Sequence, residues 1–193
     1  MSGLSVQPCS PGTIPDVKVL EPRVFEDSRG YFSEVFKQSA FCEAGVEMTI
    51  RQMSQSYSVH PGTMRGLHFQ IPPYSQAKLV RVLSGAVCDV AVDIRVGSPT
   101  YGQWASTTLS AENRRQLYVP HGFAHGFLTL EPETLVVYAV DCEYAPDHEA
   151  GIAWNDHHVG VPWPDVGSEV MLSEKDSQQP ALADLQQYFY FQG

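Results

Sequence analysis

Positive charge is scarce in this chain: 12 Lys and Arg stand against 22 Asp and Glu in 193 residues, a formal net charge of -10. A nucleic acid or an anionic membrane surface needs an extended basic face, so neither is expected as a partner. An anionic ligand has to be met by a local cluster of Arg and Lys. No apolar run approaches the roughly 18 residues that a membrane-crossing helix requires. The N-terminus also lacks the charged-then-apolar order of a signal peptide, so the cytoplasm is the expected compartment. Cysteine is sparse as well. Cys9, Cys42, Cys88 and Cys142 form no CxxC pair and are too few for a disulfide framework, which makes reduced structural thiols the expectation. The chain shows no internal repeat and no low-complexity tract.

What is present is a 43% apolar composition at the length of one all-β domain. Residues 1–16, with Pro8, Pro11, Gly12 and Pro15, read as an arm that packs late or onto a partner rather than as a core strand. Residues 17–188 read as a single domain. Residues 189–193, closing on Tyr190-Phe191-Gln192-Gly193, read as the remnant of a protease-site tag. Val24-Phe25, Asp27-Ser28-Arg29-Gly30 and Tyr31 to Phe36 form a strand, turn and strand signal. Gln38 to Gly45 predicts one short helix stopped by glycine, and Ser173 to Gln187 closes with another. Between them, Cys88, Val90, Val92, Ile94 and Val96 alternate with Asp89, Ala91, Asp93 and Arg95, the period of a strand. Shorter runs at Lys78 to Leu83, Trp104 to Leu109, Gln116 to Val119 and Thr134 to Val140 are separated by turn signals. Many short strands predict an all-β sandwich or barrel.

Pro120-His121-Gly122-Phe123-Ala124-His125-Gly126 has the P-x-G-x-x-H order that resembles the second motif of cupins, small jelly-roll β-barrels with an interior active site. The first cupin motif offers two histidines and a glutamate, whereas Arg65-Gly66-Leu67-His68-Phe69-Gln70 keeps one histidine. A catalytic divalent metal usually takes three protein ligands, and His68 and His125 lack an evident third. The expectation is therefore a barrel with no metal and no cofactor, suited to acid and base chemistry by side chains. A metal-dependent cupin or a ketoisomerase, with His121 and His125 as ligands in the metal case, is the alternative.

Arg65-Gly-Leu-His-Phe-Gln70, Gln76-Ala-Lys-Leu-Val80, Asp89-Val-Ala-Val-Asp-Ile-Arg95 and Gly97-Ser-Pro-Thr100 follow in order. Gly122-Phe-Ala-His-Gly-Phe127, Ile152-Ala-Trp-Asn-Asp156, Trp163-Pro164 and Leu172-Ser-Glu-Lys-Asp176 continue the set. Together they resemble the dTDP-4-dehydrorhamnose 3,5-epimerase family over nearly all of residues 17 to 180. The resemblance implies inversion at C3 and C5 of a nucleotide-linked 4-keto-6-deoxyhexose. A proton beside a ketone is weakly acidic, so the reaction needs a base on one face, an acid on the other and positive charge near the enolate. By the same resemblance His68 is the base, Asp176 orients it, Tyr138 is the acid and Lys78 is the cation. Arg65, Arg29, Glu34, Gln52, Ser54, His125 and Lys175 fall at substrate-binding positions. In the family the early strand carrying Arg29 and Glu34 is exchanged with a neighbouring subunit, which implies a homodimer.

The match departs at Gln52-Met53-Ser54-Gln55-Ser56, where Ser54 replaces an asparagine of the nucleotide-contacting segment. A hydroxyl cannot repeat the bidentate contact of an amide, so CDP- and GDP-linked sugars stand as alternatives to dTDP. Ala139 replaces a lysine that commonly follows the acid tyrosine, and Pro61 is inserted before Gly62. Inversion of one carbon only, and a non-catalytic sugar-binding cupin, are the remaining alternatives.

Overall fold

The computed structural model describes residues 4–11 and 14–192. It is built almost entirely of strands. A six-stranded sheet has the order β1 (Leu4–Pro8), β2 (Lys18–Pro22), β11 (Gln116–Val119), β7 (Lys78–Ser84), β13 (Thr134–Val140) and β5 (Gln52–Ser58). A five-stranded sheet has the order β10 (Trp104–Ser110), β8 (Ala86–Asp93), β12 (Phe123–Thr129), β6 (Met64–Gln70) and β14 (Glu149–Gly151). All pairings within these two sheets are antiparallel. The chain passes repeatedly between them, as an all-β jelly roll of the cupin type requires.

The two sheets enclose one interior with two unlike halves. One half is apolar: Val80, Val82, Leu117 and Val136 from the six-stranded sheet pack with Val87, Leu109, Phe123 and Phe127 from the other. The remaining half is open and polar. The outer faces are covered too. Helix α1 (Gln38–Glu43) places Phe41 against Leu20, Leu79, Tyr118 and Ala139 on the six-stranded sheet. The C-terminal stretch lays Leu182, Tyr188 and Phe189 over Leu67, Phe69 and Val92 on the five-stranded one. Strand β8 is therefore enclosed on both faces, and Asp89 and Asp93 are fully buried. Asp93 is satisfied by Arg95 Nη2 at 2.7 Å, Ser98 Oγ at 2.6 Å and Thr100 Oγ1 at 2.6 Å.

The two ends of the chain take strand conformation, and the expected boundaries in part fall on residues 1–3, 12–13 and 193, outside the described set. Leu4–Pro8 is a strand, and its one proline, Pro8, is tolerated because the strand lies at the sheet edge. Ser10 and Ser106 exchange backbone hydrogen bonds of 3.1 and 2.7 Å, which ties this segment across to β10. Phe189–Tyr190, assigned to a tag, form β15 and pair in parallel with β9 (Arg95–Val96). The Arg95 guanidinium lies 4.5 Å from the Phe123 ring and 5.1 Å from Phe191. The hairpin of β3 (Val24–Asp27) and β4 (Gly30–Ser33) forms as expected, as a small sheet of its own that ends at Ser33 rather than Phe36.

Candidate active site

The open half of the interior is a cavity of about 640 Å³. Its walls are inward side chains of β5, β6, β7, β12 and β13. His68 sits on β6 opposite His125 on β12 and Gly151 on β14. Arg65 lies three positions earlier, a spacing that would put the two side chains on opposite faces of a regular strand. The register slips between His125 and Phe127, which pair with His68 and Arg65, so β6 carries one residue more than β12 over that span. This bulge returns Arg65 to the cavity beside His68. It needs glycine: Gly66 has φ of +122°, and a Cβ there would lie 2.5 Å from Gly126 Cα.

His68 Nε2 is 2.5 Å from Asp176 Oδ1. Helix α2 (Glu174–Ser177) delivers that carboxylate, with Ser173 Oγ accepting the Asp176 N–H at 3.1 Å as the N-cap. Burial works to raise the Asp176 pKa, but the hydrogen bond and charge of His68, aided by Ser173 and Lys175, outweigh it and hold the carboxyl below its ordinary range. An ionised carboxylate on Nε2 fixes the ring and its tautomer. Nδ1 has no hydrogen-bond partner among the described residues and lies 4.0 Å from Glu149 Oε1. It is the nitrogen left free to take a proton.

The facing sheet contributes Tyr138 from β13 and Lys78 from β7. Lys78 Nζ donates to the His68 carbonyl at 3.3 Å. Burial pushes the Lys78 ammonium down to about 8, against the opposing pull of Asp89 and Glu149, so it is still mainly a cation at neutral pH. His125 Nε2 bonds Asp89 Oδ1 at 2.7 Å, and both are buried. On β5, Gln52 Nε2 donates to Ser54 Oγ at 3.0 Å. Lys175 Nζ reaches Glu149 Oε2 at 2.6 Å. A carboxylate-backed imidazole on one wall, a phenol on the other and an enclosed ammonium form a set for moving a proton off one face of a carbon and onto the opposite face.

Residues 11–184 match the model of the family described as dTDP-4-dehydrorhamnose 3,5-epimerase. The chain belongs to that family. It is 50% identical over 179 residues to a dTDP-4-dehydrorhamnose 3,5-epimerase of Sinorhizobium fredii, covering 93% of this chain and 91% of that protein. Its fold superposes with a TM-score of 0.92 on a dTDP-6-deoxy-D-glucose-3,5-epimerase of Legionella pneumophila in complex with dTDP-4-keto-L-rhamnose. That pair is 38% identical, over 98% of this chain and 100% of the other. A 3'-monoepimerase of Streptomyces bikiniensis in complex with dTDP-quinovose superposes with a TM-score of 0.82 at 35% identity, over 89% of this chain and 86% of that one. One fold thus serves relatives named for two carbons and for one.

Of the epimerase residues expected from sequence, His68, Lys78, Tyr138, Asp176, Arg65, Gln52, Ser54, His125 and Lys175 all line this one cavity. Arg29 and Glu34 do not. Arg29 sits at the β3–β4 turn with its side chain 88% exposed and paired to Asp27 at 2.7 Å, and Glu34 lies 4.0 Å from Lys37. Their hairpin has no hydrogen-bonded neighbour in either main sheet. Tyr144 and Glu149 line the cavity too, and the sequence reading missed them. They lie in and just after the β13–β14 connection, where no periodicity marks a side chain as inward. The Tyr144 hydroxyl donates to Glu149 Oε2 at 2.5 Å, a bond that, with burial, pushes its pKa up to about 12. The rival metal ligands hold separate partners: His121 Nε2 bonds Asp141 at 2.7 Å while His125 bonds Asp89. Among the described residues no three His, Cys, Asp or Glu side chains are grouped to hold a metal ion.

Proposed function

We propose that this chain converts dTDP-4-keto-6-deoxyglucose to dTDP-4-keto-L-rhamnose, inverting C3 and C5 by proton abstraction and return. His68 Nδ1 takes the proton from the carbon beside the C4 ketone. Its Nε2, held by Asp176, keeps the imidazolium oriented and compensates its charge. The electrons move into the ketone and the developing C4 oxyanion is met by the Lys78 ammonium. The Tyr138 hydroxyl then delivers a proton to the face opposite His68. Exchange with water restores both groups before the second carbon reacts. The observation that carries this reading is the placement of His68 and Tyr138 on different sheets across one cavity.

Arg65 is assigned to the diphosphate, a charge-assisted contact within reach of the β6 bulge. Gln52, Ser54 and Lys175 are assigned to the nucleotide end, with His125 fixed by Asp89 beside the sugar. The exposed ring of Tyr144 at the rim offers a flat apolar surface to a base. We infer a homodimer. Phe25, Tyr31 and Phe32 on the hairpin and Met53, Tyr57 and Val59 on and beside β5 are 50 to 67% exposed, an apolar set that a second copy would cover. In that arrangement Arg29 and Glu34 would enter the partner's cavity. No helix of the described chain is long and apolar enough to cross a membrane. With four free thiols the chain suits a reducing cytoplasm.

The test is conversion of dTDP-4-keto-6-deoxyglucose followed by NMR, with CDP- and GDP-linked 4-keto sugars alongside. Formation of the L-rhamno product from the dTDP sugar supports the reading. Turnover of only the CDP or GDP sugar refutes the nucleotide, and inversion of one carbon refutes the second step.

A further inference from the structure

The connection from β13 to β14 is held in place by side chains from elsewhere in the barrel. Gln70, on β6 and 3% exposed, spans it: Nε2 donates to the Tyr74 carbonyl at 2.6 Å and the Glu143 carbonyl at 3.3 Å, while Oε1 accepts the Ala145 N–H at 2.7 Å. Gln52 Oε1 accepts the Tyr144 N–H at 2.9 Å, and Gln76 Nε2 donates to the Cys142 carbonyl at 2.7 Å. Asp141 completes the series, its carboxylate taken by His121 at 2.7 Å and by the Ala77 N–H at 2.8 Å. Residues 141 to 145 are thus each tied to other parts of the fold. Of these five, Tyr144 is the one whose side chain lines the cavity, and Gln70 bonds the main chain on both sides of it. Gln70 also stands opposite Glu149 in the β6–β14 pairing, so the same strand position backs Tyr144 and the carboxylate its hydroxyl bonds.

We propose that Gln70 is a positioning residue for the nucleotide: its amide sets Tyr144 at the rim of the cavity. This rests on the reading that the nucleotide lies against Tyr144. The amide is chemically required. It supplies N–H groups to two carbonyls and a carbonyl to an N–H, whereas a glutamate of the same shape offers no donor and faces both carbonyl oxygens with charge. Gln70 is 3% exposed but also lines the cavity, so a direct contact with dTDP is the rival role, which an additive double variant would report.

The test is calorimetric titration of dTDP into wild type, Gln70→Glu, Tyr144→Ala and the double variant. Each single change is expected to weaken dTDP binding about tenfold, the scale of one lost contact, and the double variant to bind no worse than Tyr144→Ala alone. On the sugar substrate, Gln70→Glu should raise KM in step while kcat stays within about threefold, since the proton-transfer groups are untouched. Unchanged dTDP affinity in a folded Gln70→Glu protein overturns the proposal, as does an additive double variant. Should Gln70→Glu fail to fold, Gln70→Met takes its place in the same cycle, removing the amide at similar length without adding charge. Wild type that binds dTDP but leaves the 4-keto sugar unaltered would refute the proposed function alone, because the cycle reads binding.

Discussion

His68 Nε2 and Asp176 Oδ1 stand 2.5 Å apart although 108 positions separate them in the chain. The one-turn helix α2 carries the carboxylate of this contact, so the pair exists only when that stretch is folded against β6. Asp176→Asn keeps the shape but removes the charge that stabilises the imidazolium. It should lower kcat by about 10²–10⁴-fold with thermal stability nearly retained. Steady-state rates beside a melting curve check this, and wild-type kcat in the variant would remove Asp176 from the mechanism.

Tyr138→Phe separates the two half-reactions. Abstraction by His68 should survive and return to the far face should not. Solvent deuterium is then expected to enter the recovered substrate while product formation falls by about 10²–10⁴-fold, the usual scale of a lost general acid. Product at the wild-type rate would assign the acid elsewhere.

In the proposed mechanism Lys78 sets an alkaline limit. Its pKa is lowered to about 8, mainly by burial, so the ammonium is present below that pH and lost above it. A mechanism that needs the cation predicts kcat/KM falling above about pH 8 with a slope of one proton. Lys78→Arg, which does not deprotonate in this range, should move that limb upward at reduced rate. A limb that stays put in Lys78→Arg would belong to another group.

Asp93 contributes acid-dependent stability. Burial raises its pKa, but Arg95, Ser98 and Thr100 together outweigh burial, and the net shift is downward. A carboxyl with a depressed folded pKa stabilises the fold fully above its unfolded value of about 4, and that contribution is lost as pH falls through the folded value. Asp93→Asn should cost about 3 kcal/mol at pH 7, since it leaves Arg95 without its buried partner, and should flatten the dependence below about pH 4. Urea unfolding at pH 7 and pH 3 measures both. An equal loss at the two pH values would deny the linkage.

Much of this was legible in the sequence because it is local. Alternation at Cys88 to Val96 marked β8, and the ordered motifs led to the residues of the cavity. Period alone did not say that Asp89 and Asp93 face the interior and a closed network rather than solvent, because a strand covered on both faces alternates as a half-exposed one does. Arg65 and His68, three apart, would lie on opposite faces of a regular strand, and the bulge at Gly66, fixed by the close approach of Gly126, brings them together. Tyr144 and Glu149 were missed for a different reason. Their placement is set by Gln70, Gln52 and Lys175, partners far away in sequence, and no local pattern encodes such ties. Arg29 and Glu34 carried the family spacing, yet among the described residues the two hairpin strands pair only with each other and the turn stays outside the cavity.

In the proposed mechanism one base and one acid on opposite walls invert two carbons of the same sugar. Proton NMR of dTDP-4-keto-6-deoxyglucose in deuterium oxide with the wild-type enzyme addresses it most directly. Both the C3 and the C5 proton signals are expected to disappear, and His68→Asn to abolish that loss. Exchange that persists in His68→Asn, or that never reaches the second carbon in wild type, would contradict it.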